Sequence, residues 1–228
     1  MAIPHKHLAP GLSFNGGFVD TVGFLALQGL FTAHVTGNLV TLGVSIVHGT
    51  SGALGKLLAL PVFMLVVGLT HLAALALHRR KLVSLQPLMV LHVLLLAGFA
   101  GLAIGLGPFD DADSATALVT GLCGVAAMAI QNTLSRQHLK AAPPTTLMTG
   151  NVTQVAIDLC SLGGTADADE RSQIRRRLRE VSFNLLGFTL GCISGALAYA
   201  GAGLHSLLVP VATAAWLAVL AYRGRTVG

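Results

Sequence analysis

The heptapeptide Val35-Thr36-Gly37-Asn38-Leu39-Val40-Thr41 recurs later in the chain as Met148-Thr149-Gly150-Asn151-Val152-Thr153-Gln154. Both copies contain Thr-Gly-Asn at the same positions within apolar surroundings. Thr and Asn are common helix-capping residues, and Gly permits the backbone geometry of a chain break or a close helix approach. Each copy therefore predicts the start of a short or broken helix, and the recurrence predicts an internal repeat.

The residues that precede the two copies extend the repeat. Gly17-Phe18-Val19-Asp20 lies opposite Ala129-Ile130-Gln131-Asn132, with a one-residue difference in spacing. Asp20 in the first half is therefore matched by Asn132 in the second. We expect a single domain, residues 1–228, composed of repeat 1 at about 11–107 and repeat 2 at about 114–222.

The composition indicates a membrane protein. Of the 228 residues, 54% are hydrophobic and 10% are charged, and the mean hydropathy is +0.75. These values lie far from the averages of soluble domains. With 27 glycines and few aromatic residues, we expect an all-α integral membrane fold whose helices approach closely through small residues. The net charge of +5 comes from short basic clusters without interleaved aromatic residues, so we expect no nucleic-acid partner.

Eight apolar segments follow one another along the chain, and two of them are too short to cross a bilayer comfortably. The second segment has about 14 residues, which is about 21 Å of helix against a hydrocarbon core of about 30 Å. The sixth is shortened by the polar stretch 138–144 before it and by Asp158 within it. We predict six spans and two short broken or re-entrant helices that begin at Thr-Gly-Asn. The segments cover about 12–31, 35–48, 55–77, 86–107, 115–134, 146–162, 181–202 and 205–222.

The distribution of basic residues favours six crossings. Lys and Arg in short loops lie preferentially on the cytoplasmic side. With six spans, all the basic clusters fall on that side, whereas the acidic stretch 110–113 falls on the other. We therefore expect cytoplasmic N- and C-termini and a charged cytoplasmic linker at about 165–180. The basic clusters are Lys6 and the residues at 79–81, 136–140, 171–179 and 223–225.

Three crossings in each half have a topological consequence. Because three is odd, the second half enters the membrane from the opposite side, which gives an inverted-topology repeat with a pseudo-two-fold axis in the membrane plane. Such repeats are common in transporters, where the site lies near the middle of the membrane and is formed by discontinuous helices. A duplicated fold does not by itself establish transport.

Polar residues in and beside the two motifs are candidate pathway residues. A helix N-terminus inside lipid leaves N–H groups that need a cap, water or a solute, and spare donors suit an anion or a neutral polar solute. Asp20 adds a carboxylate that costs about 2.5–3.5 kcal/mol to insert and normally faces a cavity or a partner. In the alternative interpretation, the motifs only cap two packed helices and Asp20 is a hydrogen-bonded structural residue. The candidate substrate-binding or pathway residues are Asp20, Thr36, Gly37, Asn38, Gln131, Asn132, Thr149, Gly150 and Asn151.

Two further residues are candidates for gating or for a vestibule. His34 lies beside the first motif and can titrate near neutral pH, although a simple interfacial histidine is the alternative. Asp158 lies seven residues after Asn151 and so shares its helix face. The sequence contains no H-E-x-x-H and no G-x-S-x-G motif, and its three cysteines have no metal or redox spacing. We expect no enzyme activity, metal site or cofactor.

The first-half motifs, Gly17-Phe18-Val19-Asp20, Gly23-Phe24-Leu25-Ala26-Leu27, Gly29-Leu30-Phe31 and Thr36-Gly37-Asn38, resemble the YoaK-like family. Gln131-Asn132 and Met148-Thr149-Gly150-Asn151 are similar to the second half of that family. The resemblance covers essentially the whole chain. It implies a bacterial multi-pass protein of the cytoplasmic (inner) membrane without an established substrate.

The leading functional hypothesis is a transporter or channel for a small anionic or neutral polar solute. Its site would lie at the midplane, where the two Thr-Gly-Asn helix starts meet near Asp20 and Asn132. The alternative is a non-transporting membrane scaffold or assembly factor, and a lipid-handling protein is a weaker third hypothesis. The expected partners are the lipid bilayer and the solute, and glycine-rich helix faces would also suit a homo-oligomer.

Overall fold

The computed structural model describes residues 5–140, 142–164 and 167–226. Within these ranges all regular secondary structure is helical. Residues 165 and 166 of the predicted linker and both ends of the predicted domain 1–228 lie outside the described residues. The helices are α1 (His5–Ala26), α2 (Gly37–His48), α3 (Ala53–Arg79), α4 (Leu85–Leu106), α5 (Ala115–His138), α6 (Met148–Gly164), α7 (Ala168–Ala202), a 3-10 turn (Gly203–Leu207) and α8 (Leu208–Thr226).

Four helical stretches in the described part of the chain are long and apolar enough to cross a membrane. Their mean hydropathies range from 1.5 to 2.3, and many large apolar side chains on their surfaces are exposed. In a bilayer these side chains contact lipid, so the chain is a helical membrane protein. The stretches are α3, α4, α5 and the 56 residues Ala168–Arg223, which include α7, the 3-10 turn and most of α8.

Helix α1 lies inside the bundle. It packs along α7 and also contacts α5 and α8. Phe18, Val19 and Val22 are at most 1% exposed. Polar residues such as Asn15 and Asp20 interrupt its apolar sequence, and α1 is not among the four apolar stretches. Because protein surrounds this helix, those polar side chains contact protein groups rather than lipid: Asn15 bonds other helices and Asp20 bonds the loop after α1.

Glycines spaced four residues apart on α7 permit the close approach of α1. A β-carbon at Gly187 would lie 2.6 Å from the carbonyl oxygen of Pro10, and one at Gly195 would lie 3.0 Å from that of Phe18. Gly191, midway between them, faces the Phe14 carbonyl in the same way. The contact between the two helices therefore depends on small residues, as in many membrane helix pairs.

The other helices pack in a regular pattern. Helix α5 contacts α3 and α4, and α4 also contacts α8. Each of the two short helices packs against the long helix that follows it, α2 against α3 and α6 against α7. Helices α2 and α6 thus belong to different parts of the bundle.

Two boundaries differ from those predicted by the apolar pattern. Helix α1 ends at Ala26, and the chain turns over residues 27–36 instead of continuing to residue 31. The charged linker and the following span form one continuous helix, α7, because no Pro or other break occurs between residues 168 and 202. Its 35 residues extend about 52 Å, more than the thickness of a hydrocarbon core.

Candidate functional site

The chain between α1 and α2 is anchored on the carboxylate of Asp20. We call residues 27–36 the first break. Asp20 Oδ1 accepts hydrogen bonds from the backbone N–H groups of Thr32 and Ala33, at 2.7 and 2.8 Å. His34 Nδ1 donates to Asp20 Oδ2 at 2.6 Å. Asp20 is 3% exposed, so its buried charge is balanced by the donors of its own loop.

Asn38 closes the first break. Its Oδ1 accepts from the backbone N–H of Phe31 at 2.8 Å, and its Nδ2 donates to the Phe31 carbonyl at 2.7 Å. Asn38 is fully buried, whereas Thr36 is exposed and Gly37 is partly exposed. The Thr36 side chain forms no capping hydrogen bond at the start of α2. Its backbone is helical, at φ −69° and ψ −25°, whereas a capping side chain usually needs an extended backbone at that position.

The chain between α5 and α6 has an equivalent anchor. We call residues 139–147 the second break, of which 141 lies outside the described residues. Thr146 Oγ1 donates to Asn132 Oδ1 at 2.6 Å, across the same 14-residue interval that separates Asp20 from His34. Asn132 Nδ2 also donates to the Met128 carbonyl. A neutral amide thus occupies the place of the Asp20 carboxylate.

Asn151 closes the second break as Asn38 closes the first. Its Nδ2 donates to the carbonyl of Pro144 at 2.9 Å, and both Asn residues reach seven positions back along the chain. Helix α6 begins at Met148, so Thr149 and Gly150 lie in its first turn. Both are exposed, and Asn151 is buried. In each motif the Asn is the buried residue.

In each half, a cationic side chain of a long helix contacts the short helix that precedes it, and we call this contact a cation pin. Ser45 and Asp158, seven residues after Asn38 and Asn151, face inward on α2 and α6. Lys56 Nζ of α3 donates to Ser45 Oγ at 2.7 Å. Arg177 of α7 donates through Nε to Asp158 Oδ2 at 2.9 Å and through Nη2 to Oδ1. In each half, the contact joins the same two elements, the short helix and the long helix that follows it.

The pin of the second half is a full ion pair. Asp158 is completely buried, and Gln154 Nε2 also donates to it at 2.8 Å. The hydrogen bond from Arg177 holds the pKa of the Asp158 carboxyl below its usual range. Asp158, a predicted vestibule residue, is therefore engaged in an ion pair between α6 and α7. Lys56 in the first half is only 3% exposed and has a neutral hydroxyl as its hydrogen-bond partner.

A polar cluster joins four helices at the centre of the bundle. Asn15 of α1, His92 of α4 and Gln131 of α5 are all fully buried. Asn15 Nδ2 lies 3.4 Å from His92 Nε2 and 3.5 Å from Gln131 Oε1. His92 Nδ1 lies 2.9 Å from the Ala127 carbonyl, so this nitrogen carries the proton and Nε2 accepts. Thr213 of α8 donates to Asn15 Oδ1 at 3.0 Å.

A cavity of about 340 Å³ opens beside Asn132. Its walls are Asn132, Ser135 and Arg136 near the end of α5, and residues 139, 140 and 142–145 of the second break. Arg136 and Lys140 supply two cationic side chains, and Ser135 and Thr145 supply hydroxyl groups. We call this space the Asn132 cavity. Elsewhere in the described residues, no three His, Cys, Asp or Glu side chains are grouped as a metal site would require.

Comparison with family models matches residues 8–220 to the family described as Protein of unknown function (DUF1275). The chain belongs to this family. The match includes both breaks, both cation pins and the central cluster, and the YoaK-like resemblance is consistent with it. Comparison with curated proteins and with solved structures found no match.

In this DUF1275 protein, the predicted site residues fall into separate groups. Asp20 and Asn38 hold the first break, in which His34 lies, and Asn132 and Asn151 hold the second. The other predicted residues are elsewhere. Gln131 belongs to the central cluster, Asp158 belongs to a cation pin, and Thr36, Gly37, Thr149 and Gly150 lie on the outside of the short helices.

Sequence reasoning missed Asn15 as a site residue of this DUF1275 protein. The signal was available, since an Asn inside an apolar segment needs a partner as Asp20 does. Lys56 was missed for a different reason. It follows Ser45 by 11 residues, whereas Arg177 follows Asp158 by 19, so no common spacing marks the two pins.

Proposed function

We propose that the protein is a membrane transporter or channel for a small anionic or neutral polar solute, built from two inverted repeats. The observation that carries the proposal is the duplication of three contacts in each half. A loop is anchored on residue 20 or 132, an Asn closes that loop, and a cation holds the short helix that follows. Discontinuous helices in matching positions of two halves are typical of transporter sites.

Helix packing supports the repeat. A two-fold axis that exchanges the halves pairs α1 with α5, α3 with α7 and α4 with α8. Under this exchange, the contact of α1 with α7 becomes that of α5 with α3, and the contact of α1 with α8 becomes that of α5 with α4. The contact of α4 with α8 is its own counterpart. All these contacts are present.

Helix lengths support three crossings in each half. The 56-residue stretch Ala168–Arg223 is long enough to cross twice, because α7 and α8 are separated by a 3-10 turn that begins at Gly203, with φ 55°. Helix α1 has 22 residues, about 33 Å, and its position inside the bundle removes the need for an apolar surface. With the basic clusters in the cytoplasm, both termini lie on that side of a bacterial inner membrane.

The two halves differ in chemistry at the anchors. The Asp20 carboxylate is paired with the His34 imidazole, whereas Asn132 and Thr146 are a neutral amide and a neutral hydroxyl. In the present conformation, Asp20 and Asn38 are positioning residues that hold the first break. We infer that solute movement requires this break to open, which would expose the Asp20 carboxylate.

The experiment is solute flux into reconstituted vesicles. The native protein is tested with chloride, phosphate, small carboxylates and glycerol, and we expect flux of at least one of them. Asp20→Asn and Asn38→Ala should reduce that flux. Asp110→Asn, which changes an exposed carboxylate outside both breaks, is the matched control and should leave the flux intact.

Two outcomes would count against the proposal. Flux that is indifferent to both Asp20→Asn and Asn38→Ala would remove the breaks from the pathway. A folded native protein that carries none of the solutes would favour the non-transporting scaffold instead.

A further inference from the structure

We propose that the Asn132 cavity binds a small oxyanion of the phosphate type, either a free anion or the headgroup of an anionic lipid. Binding at this cavity does not depend on transport. Only the further role of the cavity as the place where a solute enters the pathway rests on the proposed function. The volume of about 340 Å³ is at the lower end of the range for small-molecule sites.

The charge of the cavity wall favours an anion. Arg136 and Lys140 both line the cavity, and among the described residues that line it there is no Asp or Glu. Neither cation forms an ion pair within the described ranges 5–140, 142–164 and 167–226. The preference of Lys and Arg for the cytoplasmic side accounts for cations on this side of the membrane. It does not account for two of them on the wall of one cavity that has no acidic lining residue.

Neutral groups in the cavity wall have hydrogen-bond donors to spare. The hydroxyl groups of Ser135 and Thr145 lie 3.0 Å apart and share one hydrogen bond, although each has its own hydrogen. One O–H of this pair therefore remains able to donate. Asn132 Nδ2 has two hydrogens and donates to the Met128 carbonyl at 3.0 Å, which leaves one for a ligand. Thr145 is 1% exposed, so its hydroxyl is held in a fixed position.

The equivalent positions in the first half carry no cation. Counting from Asp20 as from Asn132, Arg136 corresponds to Phe24 and Lys140 to Gln28. Phe24 packs against Phe31, with ring centroids 4.7 Å apart, and Gln28 donates to the Asp110 carbonyl at 2.9 Å. The repeat itself therefore does not require cations at these positions. The two cations that favour an oxyanion are therefore specific to the second half.

Binding of inorganic phosphate to the purified full-length chain tests the proposal. The chain is placed in nanodiscs of phosphatidylcholine, which has no net charge, and binding is followed by calorimetry. We expect saturable binding that weakens with salt. The double variant Arg136→Gln/Lys140→Gln should bind at least about tenfold more weakly, because both charge-assisted contacts are lost.

Two further variants separate a cavity from general charge attraction. Arg79→Gln/Arg80→Gln removes two exposed cations, the last residue of α3 and the residue after it, and this control should retain native affinity. Ala142→Phe keeps both cavity cations but fills the space that Ala142 lines, and it should weaken binding as the double variant does. Thermal unfolding is measured for each variant to check that the fold is retained.

A second arm distinguishes the two sources of the oxyanion. Nanodiscs that contain phosphatidylglycerol are compared with those of phosphatidylcholine alone. If the headgroup occupies the site, phosphatidylglycerol competes with phosphate in the native chain but not in the double variant. If a free anion occupies it, phosphatidylglycerol changes phosphate affinity only through the negative charge of the disc surface, and by the same factor in the native chain and in the double variant. Either result supports the oxyanion site.

Three results would overturn the proposal. They are equal weakening in the two double variants, native affinity in Ala142→Phe, and binding of neither phosphate nor phosphatidylglycerol by the native chain. Because the assay measures no flux, its outcome is separate from that of the proposed transport. A native chain that binds phosphate but moves no solute would keep the oxyanion site and reject transport.

Discussion

Asn38 hydrogen-bonds both the N–H and the C=O of Phe31, as a neighbouring backbone strand would. Replacing Asn38 with Ala leaves both backbone groups of Phe31 without these partners. We expect the free energy of unfolding to fall by about 1–3 kcal/mol, measured by thermal or denaturant unfolding in detergent. Thr36→Ala is the control, because the Thr36 side chain is exposed and forms no cap. Equal losses in the two variants would contradict the role of Asn38.

Ser45→Asp should convert the first cation pin into a copy of the second. It would place a carboxylate beside the buried Nζ of Lys56, in the place that Asp158 occupies beside Arg177. We expect the variant to be at least as stable as the native chain, since the new carboxylate would form an ion pair with Lys56. Ser45→Ala should instead be less stable by about 1–3 kcal/mol, because Lys56 loses its hydroxyl partner. A Ser45→Asp variant less stable than Ser45→Ala would contradict the equivalence of the two pins.

Acid should weaken the second pin. Because the pKa of Asp158 is lowered in the folded chain, the ion pair stabilises the fold above the ordinary carboxyl pKa of about 3.9. That stabilisation is lost as the pH falls through the lower pKa of the folded state. The native chain should therefore exceed Asp158→Asn in stability at pH 7, and the difference should shrink below about pH 4. Thr153→Ala, an exposed change on the same helix, is the control. The difference in stability between this variant and the native chain should not shrink below about pH 4.

Gly187→Val should separate α1 from α7. The first atom of the new side chain would lie 2.6 Å from the Pro10 carbonyl oxygen, so one of the two helices must move. We expect a loss of at least about 2 kcal/mol in stability, or failure to fold. Gly201→Ala on the same helix is the control, because a β-carbon there meets nothing within 4 Å. An equal loss of stability in Gly201→Ala would contradict the role of the close contact at Gly187.

Single-cysteine labelling should place the two ends of α3 on opposite sides of the membrane. In a background without Cys123, Cys160 and Cys192, one cysteine is introduced by Thr50→Cys and another, separately, by Lys81→Cys. A membrane-impermeant reagent added to intact cells should label the variant at 50 and leave that at 81 unlabelled until the cells are opened. Labelling of both from outside would rule out the six-span arrangement.

Much of the fold follows from hydropathy and from the repeated motif. Eight apolar segments correspond to the eight α-helices, and the two short ones begin within a residue of Thr-Gly-Asn. The stripe Gly187, Gly191 and Gly195 was also readable, because its four-residue spacing is a known signature of close helix packing. These features depend on residues that are near one another in sequence.

The contacts of the candidate site were harder to predict because they join distant residues. Asp20 was expected to face a cavity or a partner, but the sequence does not show that the partner is its own loop. Asn15 meets Gln131 across 116 residues. The Asn132 cavity depends on how the loop at 142–145 folds back over α5, and no periodic pattern specifies such a loop.

The continuity of α7 joins two contacts in one helix. Arg177, bound to α6, and Gly191, packed against α1, lie 14 residues apart on it. Over the corresponding length of about 21 Å, a tilt of about 5° about one contact displaces the other by about 2 Å. One continuous helix therefore links the packing of α6 to that of α1, the helix that holds Asp20.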